Sequence, residues 1–272
     1  MKRLAVVGEP VSHSRSPAMQ NAALEALGMS EEWIYDAIEV SAAEFPSRVA
    51  ELPGLGYVGV NVTIPHKTLA LEVADEVSPA VEAIGASNTL IFSGGSVQAE
   101  NTDAAGVLEA TPVAARTGRT LVLGAGGVSR AAVWALSGAG SEVYVWNRNT
   151  ERAEDLVSSL AVDGPAPEVI SSRDARSGSF DLTINCTAVG MPGRDDDPFE
   201  VLPINREALD GSVVLDLVYS GVETRLVAES ALAGADAIGG LESLVRQGAE
   251  SFRLWTGIEP PLDVMRSAAA VD

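Results

Sequence analysis

The chain reads as an α/β protein of two domains, and three observations carry that reading. An apolar strand pattern runs into glycines at Leu121-Val122-Leu123-Gly124-Ala125-Gly126-Gly127-Val128-Ser129-Arg130, in the middle of the chain rather than at its start. From Thr120 onward, strand-like and helix-like segments alternate strictly, which is the pattern of a parallel, doubly wound sheet. The length of 272 residues is too great for one small core and fits two domains, each with its own apolar centre. An independent domain therefore precedes the glycine run.

Taken in order, the first hundred or so residues suggest strands over 4–8, 33–40 and 57–62, and helices over 17–27, closed by Gly28, and 43–52. Helical stretches at 67–73 and 79–84 follow, then strands over 87–92 and 96–100 joined by Gly94-Gly95, a hairpin signal. The second half gives strands at 120–123, 142–146, 181–185 and 213–216, with helices at 128–136, 151–160 and 223–232 between and after them. Leu241, Leu244, Val245, Gly248, Phe252 and Trp255 repeat at helical spacing, so a C-terminal helix is expected to return to the first domain. The domains are thus 1–103 with 240–272, and a Rossmann-like domain over 104–239. The stretch 190–198 reads as a mobile loop.

Composition narrows the function. Hydrophobic residues make up 46% and charged residues 21%, as in ordinary globular proteins. A net charge of −20 repels a phosphate backbone, so nucleic acid is not an expected partner. No apolar run approaches the roughly 18 residues of a membrane span, and Met1-Lys2-Arg3 leads into a strand with no leader pattern, so a cytoplasmic protein is expected. One cysteine, Cys186, and two histidines, His13 and His66, leave no disulfide and no zinc pattern. Cys186, at an apolar strand end, is expected to be a buried, inert thiol.

A helix starting near Val128 would aim its unpaired N–H groups and positive dipole end at a pyrophosphate. A plain strand-to-helix turn also uses two glycines, and the third motif position is Ser129, so the motif alone leaves both readings open. The next strand ends at Asn147, where a carboxylate would bind the ribose 2′-hydroxyl of NAD; here Arg148 and Arg152 follow. Cations without a carboxylate favour a 2′-phosphate and hence NADP(H), although both arginines could instead be solvated charges on a surface helix.

Upstream, Asn61-Val62-Thr63-Ile64-Pro65-His66-Lys67 places an amide, a hydroxyl and an ammonium between a strand end and the next element, donors suited to a polyhydroxy acid. Ser87-Asn88-Thr89 and Glu100-Asn101-Thr102-Asp103 are further polar clusters. Lys67 and Asp103 can pair as an ammonium and a carboxylate that pass a proton. Asp103 can equally be the N-cap of a helix over 104–114.

Seven segments occur together in the order and rough spacing of the shikimate dehydrogenase family, which the chain resembles from end to end. They are His13-Ser14-Arg15-Ser16-Pro17, Asn61 through Lys67, Ser87-Asn88-Thr89, Asn101-Thr102-Asp103, Gly124-Ala125-Gly126-Gly127, Asn185-Cys186-Thr187-Ala188-Val189-Gly190-Met191 and Leu244-Val245-Arg246-Gln247. The resemblance implies NADPH-dependent reduction of 3-dehydroshikimate to shikimate in aromatic amino-acid biosynthesis, by a monomer or homodimer. It implies that Lys67, beside Asp103, transfers the proton. Ser14 and Ser16 would bind the substrate carboxylate; Thr63, Asn88, Asp103, Gln247 and Tyr219 would hold the ring hydroxyls. Gly124, Ala125, Gly126, Gly127 and Val128 would cradle the pyrophosphate, Asn147, Arg148 and Arg152 the 2′-phosphate, and Leu217 and Gly240 would flank the nicotinamide. The chain departs from the family at Gln20, where His is usual, at Ala104 (Gly), Asn149 (Thr) and Gly221 (Pro), and at Glu242 and Ser243, usually apolar. The nearest rival reading is a quinate or dual quinate/shikimate dehydrogenase; Ser16 and Arg148 favour shikimate and NADP. A nucleotide-sensing module without catalysis would have no reason to keep Lys67 and Asp103 together.

Overall fold

A computed structural model describes residues 1–191, 193, 196–219 and 223–270. Pro192, Arg194 and Asp195 of the expected 190–198 loop, and Gly221, lie outside the described residues. The chain forms two compact units, Met1–Asp103 with Leu244–Asp272, and Ala104–Ser243.

The first unit opens with β1 (Lys2–Gly8), α1 (Ser16–Ala26), β2 (Trp33–Glu39), α2 (Phe45–Glu51) and β3 (Tyr57–Val62), and continues with β4 (Glu76–Val77), α3 (Pro79–Ile84), β5 (Thr89–Ser93) and β6 (Ser96–Glu100). Its sheet runs β2-β1-β3-β5-β6-β4. β1 pairs in parallel with β2 and β3, whereas β5 is antiparallel to β3 and β6. Gly94 and Gly95 both take positive φ, 61° and 84°, as a two-residue hairpin between paired Ser93 and Ser96 requires. Ala5, Val7, Phe45, Val49, Val60, Val62 and Leu90 share one apolar cluster against this sheet.

The expected helix over 67–73 does not form; a 3₁₀ turn at Leu69–Leu71 stands there. The Lys67 carbonyl accepts from Ser87 N at 2.8 Å instead of the helical ladder, and Leu71 N falls back on Thr68 O. The strand expected from Ser87 begins at Thr89 for the same reason, since Ser87 N is already committed to Lys67.

The second unit holds most of α4 (Asp103–Ala110), then β7 (Arg119–Leu123), α5 (Gly127–Gly138), β8 (Glu142–Trp146), α6 (Thr150–Ser159), β9 (Glu168–Val169), α7 (Ser172–Ser177), β10 (Leu182–Asn185), α8 (Pro198–Val201), β11 (Val213–Asp216), α9 (Arg225–Leu232) and β12 (Asp236–Gly239). All six strands are parallel in the order β12-β11-β10-β7-β8-β9, the doubly wound order of a dinucleotide fold whose switch point lies between β7 and β10. Successive residues point to opposite faces. Val122, Val143, Val145 and Ile184 meet α5 and α6 through Leu136 and Leu156; Leu121, Leu123 and Val214 meet Phe180, Phe199 and Leu226. Burial on both faces accounts for the continuous apolar runs in the sequence.

α10 (Leu241–Thr256) and α11 (Leu262–Ala270) complete the fold, and residues from Leu244 onward belong to the first unit. α11 packs on α1. The Trp255 indole donates to Leu90 O at 3.1 Å and the Gln20 amide to Gly248 O at 2.9 Å, so the residue that departs from the family's His is a clamp on α10. α4 ends at Ala110 rather than near 114, with Thr111-Pro112 following, and Cys186 is half-buried rather than buried.

Candidate active site

In the first unit the polar motifs converge. Gly8, at the end of β1, has no room for a Cβ because the Thr63 side chain and the Ile64 carbonyl lie against it, which seats the turn carrying Lys67. The Lys67 ammonium donates to Asp103 Oδ2 at 2.6 Å, and both side chains are mostly buried, 16% and 8% exposed. Asn88 Nδ2 donates to Asp103 Oδ1 at 3.0 Å and to Gln247 Oε1 at 3.2 Å. Both Asp103 oxygens are therefore engaged across the sheet, and Asp103 itself is the first residue of α4. Between the two roles that the sequence left open, the pairing with Lys67 is the one in which the carboxylate is found.

Behind this pair lies a polar network that sequence reasoning missed. Thr102 N donates to Asn88 Oδ1 at 2.7 Å, fixing the Asn88 amide so that its NH₂ faces Asp103. Asn61 Nδ2 donates to Ser251 Oγ at 2.9 Å and Thr89 Oγ1 at 3.1 Å, while its Oδ1 accepts from the Tyr35 phenol at 2.7 Å. Ser251 Oγ also lies 3.0 Å from Thr102 Oγ1. Each member is buried and partnered, so truncating one would strand the others at a cost of about 1–3 kcal/mol per unsatisfied group. The available signal was Ser251 one helical turn beyond Gln247, on the same face of α10.

Ser14 and Ser16 stand together at the start of α1, with Ser16 N donating to Ser14 Oγ at 3.3 Å and Pro17 in the first turn. Thr63 is half-buried in the turn before Lys67. The grouping of Lys67, Asp103, Asn88 and Gln247 presents an ammonium held by a carboxylate, flanked by amides, which suits the hydroxyls of a polyhydroxy ring that exchanges a proton.

In the second unit the glycine run occupies the switch point. Gly124 has φ 113°, and a Cβ there would press on the Cys186 backbone at 3.2 Å, so β7 can turn only with glycine. α5 begins at Gly127, and Ser129 Oγ accepts from Gly126 N at 3.1 Å, so the serine at the third motif position helps shape the turn. Around Gly126 a Cβ would meet nothing, leaving open space over the helix N-terminus. β8 ends before Asn147, and Asn149 caps α6 by accepting from Arg152 N, a job that threonine also does. Arg148 and Arg152 are exposed, and neither guanidinium forms an ion pair among the described residues, in a chain of net charge −20. This donor set, with no carboxylate at the end of β8, fits a dinucleotide carrying a 2′-phosphate.

Gly240 lies against Leu217, whose carbonyl a Cβ would approach to 2.6 Å, so the two are neighbours. Tyr219 is half-buried beyond β11. Asp216, at the end of β11, is fully buried and accepts from Asn185 Nδ2 at 2.8 Å, Thr224 Oγ1 at 2.6 Å and Val218 N at 3.1 Å. Burial pushes its carboxyl above the usual range, and these hydrogen bonds oppose the shift.

Three family models match the chain: "Shikimate dehydrogenase substrate binding domain" over residues 6–90, "Shikimate / quinate 5-dehydrogenase" over 109–218, and "Shikimate 5'-dehydrogenase C-terminal domain" over 240–270. A shikimate dehydrogenase (NADP(+)) of Methanocella arvoryzae is 42% identical, with 97% of this chain and 96% of that protein covered. The crystal structure of shikimate 5-dehydrogenase from Thermus thermophilus in complex with NADP(H) and shikimate superposes with a TM-score of 0.85 at 39% identity, covering 99% of this chain and 98% of that one. A quinate dehydrogenase from Corynebacterium glutamicum in complex with NAD shares the fold at TM-score 0.87 but only 28% identity, covering 98% of each chain. Backbone shape is thus common to both activities. With a relative this similar over nearly its whole length, and family models along both units, the chain belongs to the shikimate dehydrogenase family.

Proposed function

We propose that this protein catalyses the reversible NADPH-dependent reduction of 3-dehydroshikimate to shikimate, with Lys67 and Asp103 handling the proton. It would act in the cytoplasm as a monomer or homodimer. The observation that carries the reading is the 2.6 Å Lys67–Asp103 pair, mostly buried and braced by Asn88. Bound NADPH supplies the hydride that reduces the ketone.

The protein residues do the rest. The Lys67 ammonium polarises the ketone oxygen, stabilises the alkoxide that develops there and gives it a proton. Asp103 keeps that ammonium in place and, with Asn88, Thr63, Gln247 and Tyr219, orients the ring hydroxyls. Ser14 and Ser16, at the α1 N-terminus, bind the substrate carboxylate. Gly124 to Val128 offer backbone donors to the pyrophosphate, Asn147, Arg148 and Arg152 hold the 2′-phosphate, and Leu217 and Gly240 form an apolar wall for the nicotinamide. The roles of Leu217 and Gly240 are supported by their mutual contact.

Initial oxidation rates for shikimate and quinate, each with NADP and with NAD, test the proposal. Shikimate with NADP is expected to dominate. Comparable quinate oxidation with NAD would replace the reading by the quinate one, and activity with neither substrate would return the chain to nucleotide sensing.

A further inference from the structure

Lys67 sits in a turn rather than a helix, so its backbone depends on individual bonds for its position. The side chain beside it, His66, is a buried titratable group that the proton transfer does not use. His66 is 0% exposed, and its ring stacks on Phe45, the first residue of α2, with centroids 4.7 Å apart and planes at 27°. Nε2 lies 2.7 Å from the Val40 carbonyl. A carbonyl only accepts, so Nε2 carries a hydrogen and donates it. Nδ1 has no hydrogen-bond partner among the described residues.

For packing alone this is a poor side chain. An unpartnered buried polar atom costs about 1–3 kcal/mol, and an apolar residue would cover Phe45 without that cost. What an apolar residue cannot do is donate to Val40 O. Val40 follows β2, and its own N–H bonds to Gly8 O at 3.1 Å, so the imidazole ties the Lys67 turn to the end of the parallel β1–β2 pair. On the other side of the same turn, Ser87 N holds the Lys67 carbonyl at 2.8 Å. The two bonds grip the Lys67 backbone from both flanks.

We infer that His66 is a positioning residue for proton transfer: its Nε2–H, held by the Val40 carbonyl, sets the backbone from which the Lys67 ammonium reaches Asp103. The inference rests on the assignment of Lys67 as the proton-transfer residue. His66→Gln and His66→Met test it, being of similar size, with only the former carrying a donor at the reach of Nε2. For each, kcat and KM for shikimate and for NADP, the solvent deuterium isotope effect on kcat, and Tm are compared with wild type. His66→Met is expected to lose about tenfold or more in kcat with its KM for NADP unchanged, as misplaced reacting groups do. Its solvent isotope effect should rise, because the proton step has become slower than the others. His66→Gln should recover most of kcat and the wild-type isotope effect. Equal kcat and equal isotope effects in the two variants, whatever their Tm, would overturn the inference, as would a folded His66→Gln as slow as Lys67→Ala. A wild-type protein inactive on shikimate with NADP would instead remove the assignment of Lys67, and this inference with it.

Discussion

An ammonium is useful for proton transfer only when its position is fixed, and Asp103 holds that of Lys67 at 2.6 Å. Removing the amine should leave the second unit's nucleotide site untouched. Lys67→Ala is therefore expected to lower kcat by about 10²–10⁴-fold while NADPH binding, followed by fluorescence titration, stays normal; unchanged turnover would sink the proton-transfer role. At the end of β8, Arg148→Asp should move the ratio of NADP to NAD kcat/KM toward NAD, since a carboxylate repels the 2′-phosphate and can accept from a free 2′-hydroxyl. Asp216 makes a different kind of prediction. Burial raises its folded-state pKa, so the native protein holds this proton more tightly than the unfolded chain does. Its penalty is absent below the ordinary carboxylate range and grows as pH rises through the raised folded value. Asp216→Asn keeps an oxygen for Asn185 and Val218 and offers an NH₂ to Thr224 Oγ1. The Tm of this variant minus that of wild type should then increase with pH between about 4 and 8, and a pH-independent difference would show that the carboxylate carries no such penalty. Lys67, Asn88, Asp103 and Gln247, which the structure brings together, could be singled out from the sequence because each stands in a short motif, whereas Leu217, Tyr219 and Gly240 stand in none and rest on the resemblance alone. Thr102, Asn61, Tyr35 and Ser251 could not be placed as a network, because their partners lie on β3, β5 and α10, far apart along the chain, and no local spacing encodes such pairing.

The elements that were legible are those long enough to show their burial, as a continuous apolar run or as a periodic stripe. β7, β8 and β11 are buried on both faces and read as apolar runs; α10 shows its stripe at helical spacing. β4, β9 and α8 escaped because two to four residues carry no period. The stretch after Lys67 misled for the opposite reason: its composition favours a helix, but a long-range bond from Ser87 N takes the carbonyl that the helix needs. The docking of α10 depends on a residue with no side chain. A Cβ on Gly59 of β3 would overlap the Trp255 indole and stand 2.7 Å from Leu90 O, breaking the bond that holds the C-terminal turn of α10. Gly59→Ala should cost about 1–3 kcal/mol of stability, read from urea unfolding, and an unaltered midpoint would mean that α10 is held elsewhere.

At the scale of the whole molecule, 38 acidic against 18 basic side chains leave a net charge of −20. Like charges on a compact body repel more than on an expanded chain. Raising NaCl from about 0.1 to 1 M shortens the screening length from about 10 to 3 Å and should raise Tm; a flat or falling Tm would mean that local ion pairs outweigh the general repulsion. No helix among the described residues is long and apolar enough to cross a membrane. The return of residues from Leu244 onward to the first unit has a consequence for biosynthesis on the ribosome. The segment 104–243 has its complete core as soon as it leaves the exit tunnel, whereas 1–103 must wait, its α1 without α11 and its Leu90 carbonyl without Trp255, until residues beyond 243 emerge. Although synthesis usually completes the earlier domain first, here the order inverts: 104–243 becomes a finished body before 1–103, which stays exposed to chaperones and proteases until α10 and α11 emerge.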